Sequence, residues 1–170
     1  MSREANTVLV DNRQVLIRPI RADDTALEGD FVRNLSAQTK HYRFFGALKE
    51  LSAAELKRLC STDGSHSMAF IATVAEGGAE VEIGVCRYAP DSKEDVREMA
   101  VTIADAWQHT ELAGLLMDRL IVAARQHGIR RLYSLELADN QSMRELAANF
   151  GMVHERDPGD ASQVVYSLSL

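Results

Sequence analysis

The most constraining feature of this chain is an uninterrupted strand–loop–helix unit between residues 98 and 123. Alternate residues of the run 98–103 are apolar, which predicts a strand with Met99 and Val101 on its buried face. After a loop over residues 104–110, apolar residues recur at helical spacing at Leu112, Leu115, Leu116, Leu120 and Ala123. The start of such a helix presents free amide groups and the positive end of its dipole, which together favour pyrophosphate. Many such units bind nothing, so this pattern alone is weak evidence.

Turn and capping signals predict several short elements in the first half of the chain. Asp11 and Asn12 mark a turn. Ser52 and Glu55 form a capping box, which is typical of the first turn of a helix. The predicted elements are a hairpin or bent strand over 8–20, helices over 24–35, 36–45 and 52–60, and strands over 68–74 and 81–88.

The second half continues the mixture of helices and strands. Ser142 and Glu145 form a second capping box, which predicts that a helix opens there and ends at Gly151. Strands are predicted over 132–137 and 164–170. The sequence has no internal repeat, low-complexity segment or linker, so residues 1–170 are expected to form one α+β domain.

Composition and charge exclude several classes of protein. No stretch approaches the roughly 20 apolar residues that span a bilayer, and Met1 to Asn6 are polar, so a cytoplasmic location without a membrane partner is expected. The net charge of −6 argues against a nucleic-acid partner. The histidines lack metal-ligand spacing, and Cys60 and Cys86 form no metal motif or disulfide framework, so no metal is expected.

Two segments in the second half resemble the GNAT family of acetyltransferases. Residues 98–108, E-M-A-V-T-I-A-D-A-W-Q, are similar to the family's fourth strand and the turn after it. The family continues Q/R-x-x-G-x-G/A, where Gln108 and Ala113 match and Glu111 replaces the first glycine. Residues 137–152, L-x-x-N-x-x-M-x-x-L-x-x-N-F-G-M, resemble the family's later strand and helix.

Two segments in the first half extend the resemblance. Residues 17–24, with Ile-Arg-Pro and then Asp-Asp, are similar to the family's opening. Residues 36–45, ending Tyr-Arg-Phe-Phe, resemble a branch fused to acyl-CoA-synthetase-like regions that contains many protein-lysine acetyltransferases. The aromatic cluster from Tyr42 to Phe45 is predicted to pack into the core or to line an acceptor groove. The order and spacing of the motifs over roughly residues 15–152 are more specific than any single motif.

The resemblance implies a GNAT fold and a cofactor site. The fold is α+β, with a mixed, splayed central sheet of six to seven strands and helices on both faces. Acetyl-CoA is the implied co-substrate, and its pantetheine arm would lie beside the backbone of Val101 and Ile103. The remaining cofactor-binding positions are Gln108, His109, Thr110, Glu111, Ala113, Gly114 and Asn140.

The resemblance also implies N-acyl transfer from acetyl-CoA to an amine, either a protein lysine or a small molecule. A lysine ammonium has no lone pair, so it must lose a proton before it attacks. Glu98 matches the glutamate of the lysine-acetylating branch and is predicted to be the general base, with a solvated carboxylate as the alternative. The family's general-acid tyrosine falls near Ala147, and no tyrosine lies between Tyr133 and Tyr166.

A non-catalytic domain is the rival interpretation, and Glu111 is its main support. Its carboxylate would lie beside the pyrophosphate, and the missing glycine would remove backbone freedom and room for close approach. A glutamate is also an ordinary residue in the first turn of a helix. The prediction is an acetyl-CoA-dependent N-acetyltransferase, with an acyl-CoA sensor or partner-binding domain as the alternative. Homodimers are common in this fold, although no segment of the sequence predicts an interface.

Overall fold

The computed structural model describes residues 5–170, which contain eight strands, five α-helices and one 3-10 turn. The strands are β1 (Asn6–Val10), β2 (Arg13–Pro19), β3 (Met68–Glu76), β4 (Ala79–Pro90), β5 (Val96–Ile103), β6 (Arg131–Leu137), β7 (Val153–Asp157) and β8 (Asp160–Ser169). The helices are α1 (Thr25–Asn34), α2 (Ala37–Phe44), α3 (Ala53–Cys60), α4 (Leu112–Gln126) and α5 (Gln141–Asn149), and the 3-10 turn is Asp105–Trp107.

The strands form one mixed sheet in the order β1-β2-β3-β4-β5-β6-β8-β7. Every neighbouring pair is antiparallel except β5 and β6, which are parallel. These two strands pair only over residues 96–98 and 131–133, and then they diverge. The α+β fold with a mixed, splayed central sheet, which the family resemblance implied, is confirmed.

The helices cover both faces of the sheet. Leu116 of α4 and Met143 of α5 belong to the larger core cluster, whereas Phe31 of α1 lies in a second cluster. Successive strand residues point to opposite faces, so neighbours such as Phe70 and Ile71 of β3 belong to the two clusters in turn. Within residues 5–170, no helix is long and apolar enough to cross a membrane.

The N-terminal prediction of a hairpin or bent strand resolves as a hairpin. β1 and β2 pair antiparallel up to Val10 and Arg13, with Asp11 and Asn12 between them. Both turn residues have positive φ, 47° and 61°. Two left-handed residues in a two-residue loop match the twist of the flanking strands, and Asn and Asp tolerate this conformation better than most residues.

One predicted helix begins at a different residue in the structure. The helix expected to open at the capping box of Ser142 and Glu145 begins at Gln141, because Asn140 is its N-cap and accepts from Met143 N–H at 3.2 Å. The Glu145 carboxylate instead accepts from the Gln141 side chain at 3.0 Å, so the second capping box was wrong.

β7 was not predicted, and the sheet therefore has eight strands rather than six to seven. Its sequence, Val-His-Glu-Arg-Asp, lies at the edge of the sheet and is exposed over residues 153–156. A strand without a buried face leaves no apolar alternation in the sequence. Its hydrogen bonds to β8, rather than hydrophobic burial, define it.

A buried ion-pair network joins β2 to the start of α1. The Arg18 guanidinium is 2% exposed and donates to both carboxylate oxygens of Asp24, at 2.7 and 2.8 Å. Arg18 also donates to Glu80 at 2.9 Å. Burial by itself would raise the pKa of Asp24, but the bonds from Arg18 and from Arg21 N–H outweigh it and lower the pKa. The carboxylate therefore stabilises the fold in its ionised form.

Asp24→Asn should lower the free energy of unfolding by about 3 kcal/mol, because it leaves a buried guanidinium with one partner fewer. Asp23→Asn, at the exposed neighbouring position, should change it by less than about 0.5 kcal/mol. Urea denaturation at neutral pH measures both. The folded-state pKa of Asp24 is lowered, so its contribution should decline as the pH falls below about 4. Equal midpoints for the two variants at neutral pH would contradict this account.

Candidate active site

A cleft of about 890 Å³ opens where β5 and β6 diverge. Its walls are α2, β5, the loop and first turns of α4, β6 and α5. The structure brings all ten predicted site residues to this one cleft, namely Glu98, Val101, Ile103, Gln108, His109, Thr110, Glu111, Ala113, Gly114 and Asn140.

Beyond Glu98, the backbone of β5 has no partner strand on the side that faces the cleft. Ala104 N–H, just past β5, bonds to Ile83 O of β4 at 2.8 Å. Because successive N–H groups of a strand point to opposite edges, those of Val101 and Ile103 point towards the edge that β6 has left. The Ile103 carbonyl also points there, since it accepts from Gln108 Nε2 at 3.1 Å. An extended ligand can therefore pair with β5 as a strand would.

The first turn of α4 has amide groups available for an anion. Leu115 N–H makes the first bond within the helix, at 3.0 Å, and Leu112 N–H bonds to Thr110 Oγ1 at 3.2 Å. The N–H groups of Ala113 and Gly114 therefore have no partner inside the helix. No atom lies within 4 Å of the point where a Cβ on Gly114 would be, so the turn is open on that side.

Glu111 occupies the N-cap of α4 with an ordinary helical backbone, at φ −74° and ψ −3°. The loop therefore needs no glycine at this position, and its left-handed residue is His109, at φ 60°. The Glu111 side chain is exposed and makes no capping hydrogen bond, so it leaves the helix amides uncovered. The conformational argument against Glu111 is thus wrong, whereas the electrostatic argument stands.

Asp105 ties α2 to the segment that precedes α4. Its carboxylate accepts from Ser36 N–H at 2.9 Å, Ser36 Oγ at 2.6 Å and Thr39 Oγ1 at 2.9 Å. Gln108 Nε2 adds a bond to Thr39 Oγ1 at 3.1 Å. Burial opposes ionisation of Asp105, but the hydrogen bonds from Ser36 and Thr39 outweigh it and lower its pKa. One wall of the cleft is therefore fixed by polar contacts.

Two carboxyl groups line the cleft from the diverging strands. Glu98, the last β5 residue paired with β6, is exposed. Glu136 of β6 is only 9% exposed and accepts hydrogen bonds from Ser134 Oγ and, at 3.4 Å, from Asn140 Nδ2. Burial raises the pKa of Glu136 in spite of these bonds. Sequence analysis missed this residue. The available signal was that Ser134 and Glu136 alternate with Leu132 on the same buried face of β6, where polar residues are unusual.

The charges around the cleft are mostly negative. Within the described chain, its wall contains one arginine, Arg43, and no lysine. Burial, followed by the nearby charge of Arg87, lowers the pKa of the Arg43 guanidinium. The acidic residues of the wall are Glu98, Glu111, Asp118, Glu136, Asp139 and Glu145. The wall of the cleft therefore has more acidic than basic side chains.

The aromatic cluster from Tyr42 to Phe45 was predicted either to pack into the core or to line a groove, and its members divide between the core and the cleft. Tyr42 and Phe45 line the cleft, whereas Phe44 packs against the second core cluster. Ala147, at the position of the family's tyrosine, is 1% exposed and lies in the larger core cluster. Tyr42 is the one tyrosine among residues 5–170 that lines the cleft.

Asp105→Ala should detach α2 while the rest of the sheet stays intact, because α2 has no buried residue of its own. Losing charge-assisted hydrogen bonds worth at least about 1.4 kcal/mol should speed amide exchange in α2 by about tenfold or more. Hydrogen exchange measures this, with α4 amides as the internal reference. Asp95→Ala, at an exposed position, is the matched control. Uniform acceleration in both helices would contradict a local role for Asp105.

Comparison with known proteins tests whether the family resemblance of the sequence is real. A family model described as the Acetyltransferase (GNAT) family matches residues 33–152. "Acetyltransferase PA5475" of Pseudomonas aeruginosa is 46% identical over 162 residues, covering 95% of this chain and 87% of that protein. The crystal structure of the GNAT domain of S. lividans PAT superposes with a TM-score of 0.87 at 27% identity, covering 98% of this chain and 97% of that one. The structure of yncA from Salmonella typhimurium, with its cofactor acetyl-CoA, has a TM-score of 0.72 at 16% identity, covering 92% and 94%. This chain therefore belongs to the GNAT family of acetyltransferases.

Proposed function

We propose that residues 1–170 form one cytoplasmic acyltransferase domain that transfers an acetyl group from acetyl-CoA to an amine, with a protein lysine as acceptor. The observation that carries the proposal is the cleft between β5 and β6, which has free strand backbone in its wall and free helix amides at its end. Similarity to Acetyltransferase PA5475 and to the S. lividans PAT domain supports acyl transfer. The yncA structure with its cofactor supports acetyl-CoA as donor.

The residues present fit acetyl-CoA in chemistry and position. The backbone groups of Val101 and Ile103 would pair with the two amides of the pantetheine arm, as a neighbouring strand would. The free N–H groups of Ala113 and Gly114, at the positive end of α4, would hold the pyrophosphate. When bound, acetyl-CoA supplies an acyl group activated as a thioester.

The acceptor would enter the cleft beside Glu98, between α2 and β5. Carboxylates around the cleft attract an ammonium group, which favours a cationic acceptor over a neutral or anionic one. Glu98 is exposed to the cleft and takes the proton that a lysine must lose before it attacks. Tyr42 and Phe45 would contact the aliphatic part of the lysine side chain.

Glu98→Gln should lower kcat by about a hundredfold or more, because the amide cannot accept the proton. The dissociation constant for acetyl-CoA should change less than threefold, roughly 0.6 kcal/mol, because Glu98 does not hold the donor. Transfer of radiolabelled acetyl to poly-L-lysine and to lysine-containing proteins measures turnover, and calorimetry measures binding.

Glu94→Gln removes the same charge from an exposed position four residues earlier and should leave both quantities unchanged. Equal losses of turnover and cofactor affinity in Glu98→Gln would assign Glu98 a structural role. Micromolar binding of acetyl-CoA without transfer to any lysine would favour the alternative function, a non-catalytic domain that senses acyl-CoA. The Glu111 charge at the helix start is the observation that favours this alternative.

Glu111→Gln and Glu111→Gly should both tighten acetyl-CoA binding, by about tenfold at low salt. The backbone at Glu111 is already helical, so glycine should gain nothing beyond the removal of charge. The effect should shrink as salt rises, because an exposed charge is screened. Calorimetric titration at two ionic strengths measures it.

Glu76→Gln, in the β3–β4 turn region, controls for net charge and should have no effect. Tightening in Glu111→Gly alone would identify crowding by the side chain as the obstacle. Unchanged affinity in both variants would show that Glu111 does not oppose the donor.

A further inference from the structure

The proposed reaction releases a thiolate, and the family's usual proton donor is missing. The position of that tyrosine falls at Ala147, which is buried and contributes only a methyl group. Among residues 5–170, Tyr42 is the tyrosine that lines the cleft. It lies on α2, and its hydroxyl donates to Asp139 O at 3.4 Å. A proton donor on the α5 side of the cleft would have to be another group.

Glu136 lies on that side of the cleft. It follows Tyr133, the last β6 residue paired with β5, and lies opposite Val164 of β8. Its side chain is held at one oxygen by Ser134 Oγ and at the other, loosely, by Asn140 Nδ2 at 3.4 Å. Asn140 caps α5, at the position that the family resemblance places beside the cofactor arm. The second carboxyl oxygen of Glu136 is therefore next to the expected path of that arm.

The surroundings of Glu136 raise its pKa above that of an exposed glutamate. Burial raises its pKa most strongly, and the charge of Glu98 on β5 raises it further. The hydrogen bond from Ser134, the charge of Arg43 on α2 and the hydrogen bond from Asn140 each lower the pKa of Glu136. Together they do not offset the effect of burial. A buried carboxylic acid with one weakly bonded oxygen can donate a hydrogen bond or a proton, which an exposed carboxylate at neutral pH does not do.

We propose that Glu136 is the general acid that protonates the leaving CoA thiolate, in place of the missing tyrosine. This inference rests on the proposed acetyl transfer. In the balanced step, the C–N bond to the acceptor forms and the C–S bond breaks. Glu98 first takes one proton from the lysine ammonium and passes it to water, so that the neutral amine attacks. Glu98 then takes a second proton from the same nitrogen after the C–N bond forms, and Glu136 gives one proton to sulfur. Exchange with water then returns Glu98 to carboxylate and Glu136 to carboxylic acid, so the products are an amide and a free thiol.

The leaving group itself provides the sharpest test. Glu136→Gln should lower the rate of transfer from acetyl-CoA to poly-L-lysine by about a hundredfold. With acetyl-selenocoenzyme A, whose selenolate leaves without protonation, the loss should be within a few-fold. A structural role would reduce transfer equally from both donors, and that result would overturn the inference. The same donor-dependent loss in Tyr42→Phe instead of Glu136→Gln would also overturn it.

Glu155→Gln, at an exposed carboxylate on β7, is the matched control and should transfer from both donors at the wild-type rate. Calorimetry of acetyl-CoA with each variant separates lost binding from lost chemistry, and Glu136→Gln should keep the wild-type affinity. No transfer by the wild-type protein from either donor would overturn the proposed function and this inference with it. Equal losses from both donors would overturn only the role of Glu136.

A second measurement does not depend on activity. With isotope-labelled glutamate and bound CoA, the infrared band of protonated carboxylic acid should be weaker in Glu136→Gln than in the wild type at a pH near the raised pKa of Glu136. Buried Glu82, whose pKa is also raised, should contribute the same band to both proteins. Equal band intensities in the two proteins throughout a pH titration would overturn the inference.

Discussion

The short parallel contact between β5 and β6 is the interaction on which the site depends. Three residue pairs join the two strands, after which each keeps only its outer antiparallel neighbour. The outer ladders satisfy one edge of each strand, and the inner edges keep unpaired N–H and C=O groups. Such groups are costly when buried without partners, so they favour an open cleft whose free strand edge an extended ligand can pair with. Strand pairing thus both holds the sheet together and creates its binding site.

The same segment that ends β5 organises both halves of the cleft. Asp105 and Gln108 hold the N-terminal turn of α2 through Ser36 and Thr39, which fixes one wall of the cleft. A few residues later the chain enters α4, whose first amides face the other end. These polar bonds act together with the packing of Phe44 against the second core cluster to position α2. The two ends of the cleft are therefore joined by one short connection.

Burial gives the two cleft glutamates different chemistry. Glu98 lies on the exposed side of β5, whereas Glu136 is enclosed between β6 and the cap of α5, and its pKa is raised. Two carboxyl groups in unlike surroundings can serve as base and acid in one reaction. The guanidinium of Arg43 on α2 is near enough to both glutamates for their charges to raise its pKa, although burial and the charge of Arg87 lower it overall. Residue type alone does not distinguish the roles, because both are glutamates.

The sequence by itself determined the α+β class and the strand–loop–helix unit, because hydrophobic period and capping are local properties. The resemblance of its motifs to the GNAT family supplied ten of the residues that line the cleft. It missed β7, which has no buried face, and misplaced the start of α5, where the turn after β6 selects Asn140 as the cap. Only the tertiary structure decided that Glu111 is helical, that Asp105 anchors α2 and that Glu136 is buried beside Asn140. These features depend on burial and on contacts between residues distant in sequence, which no local pattern records.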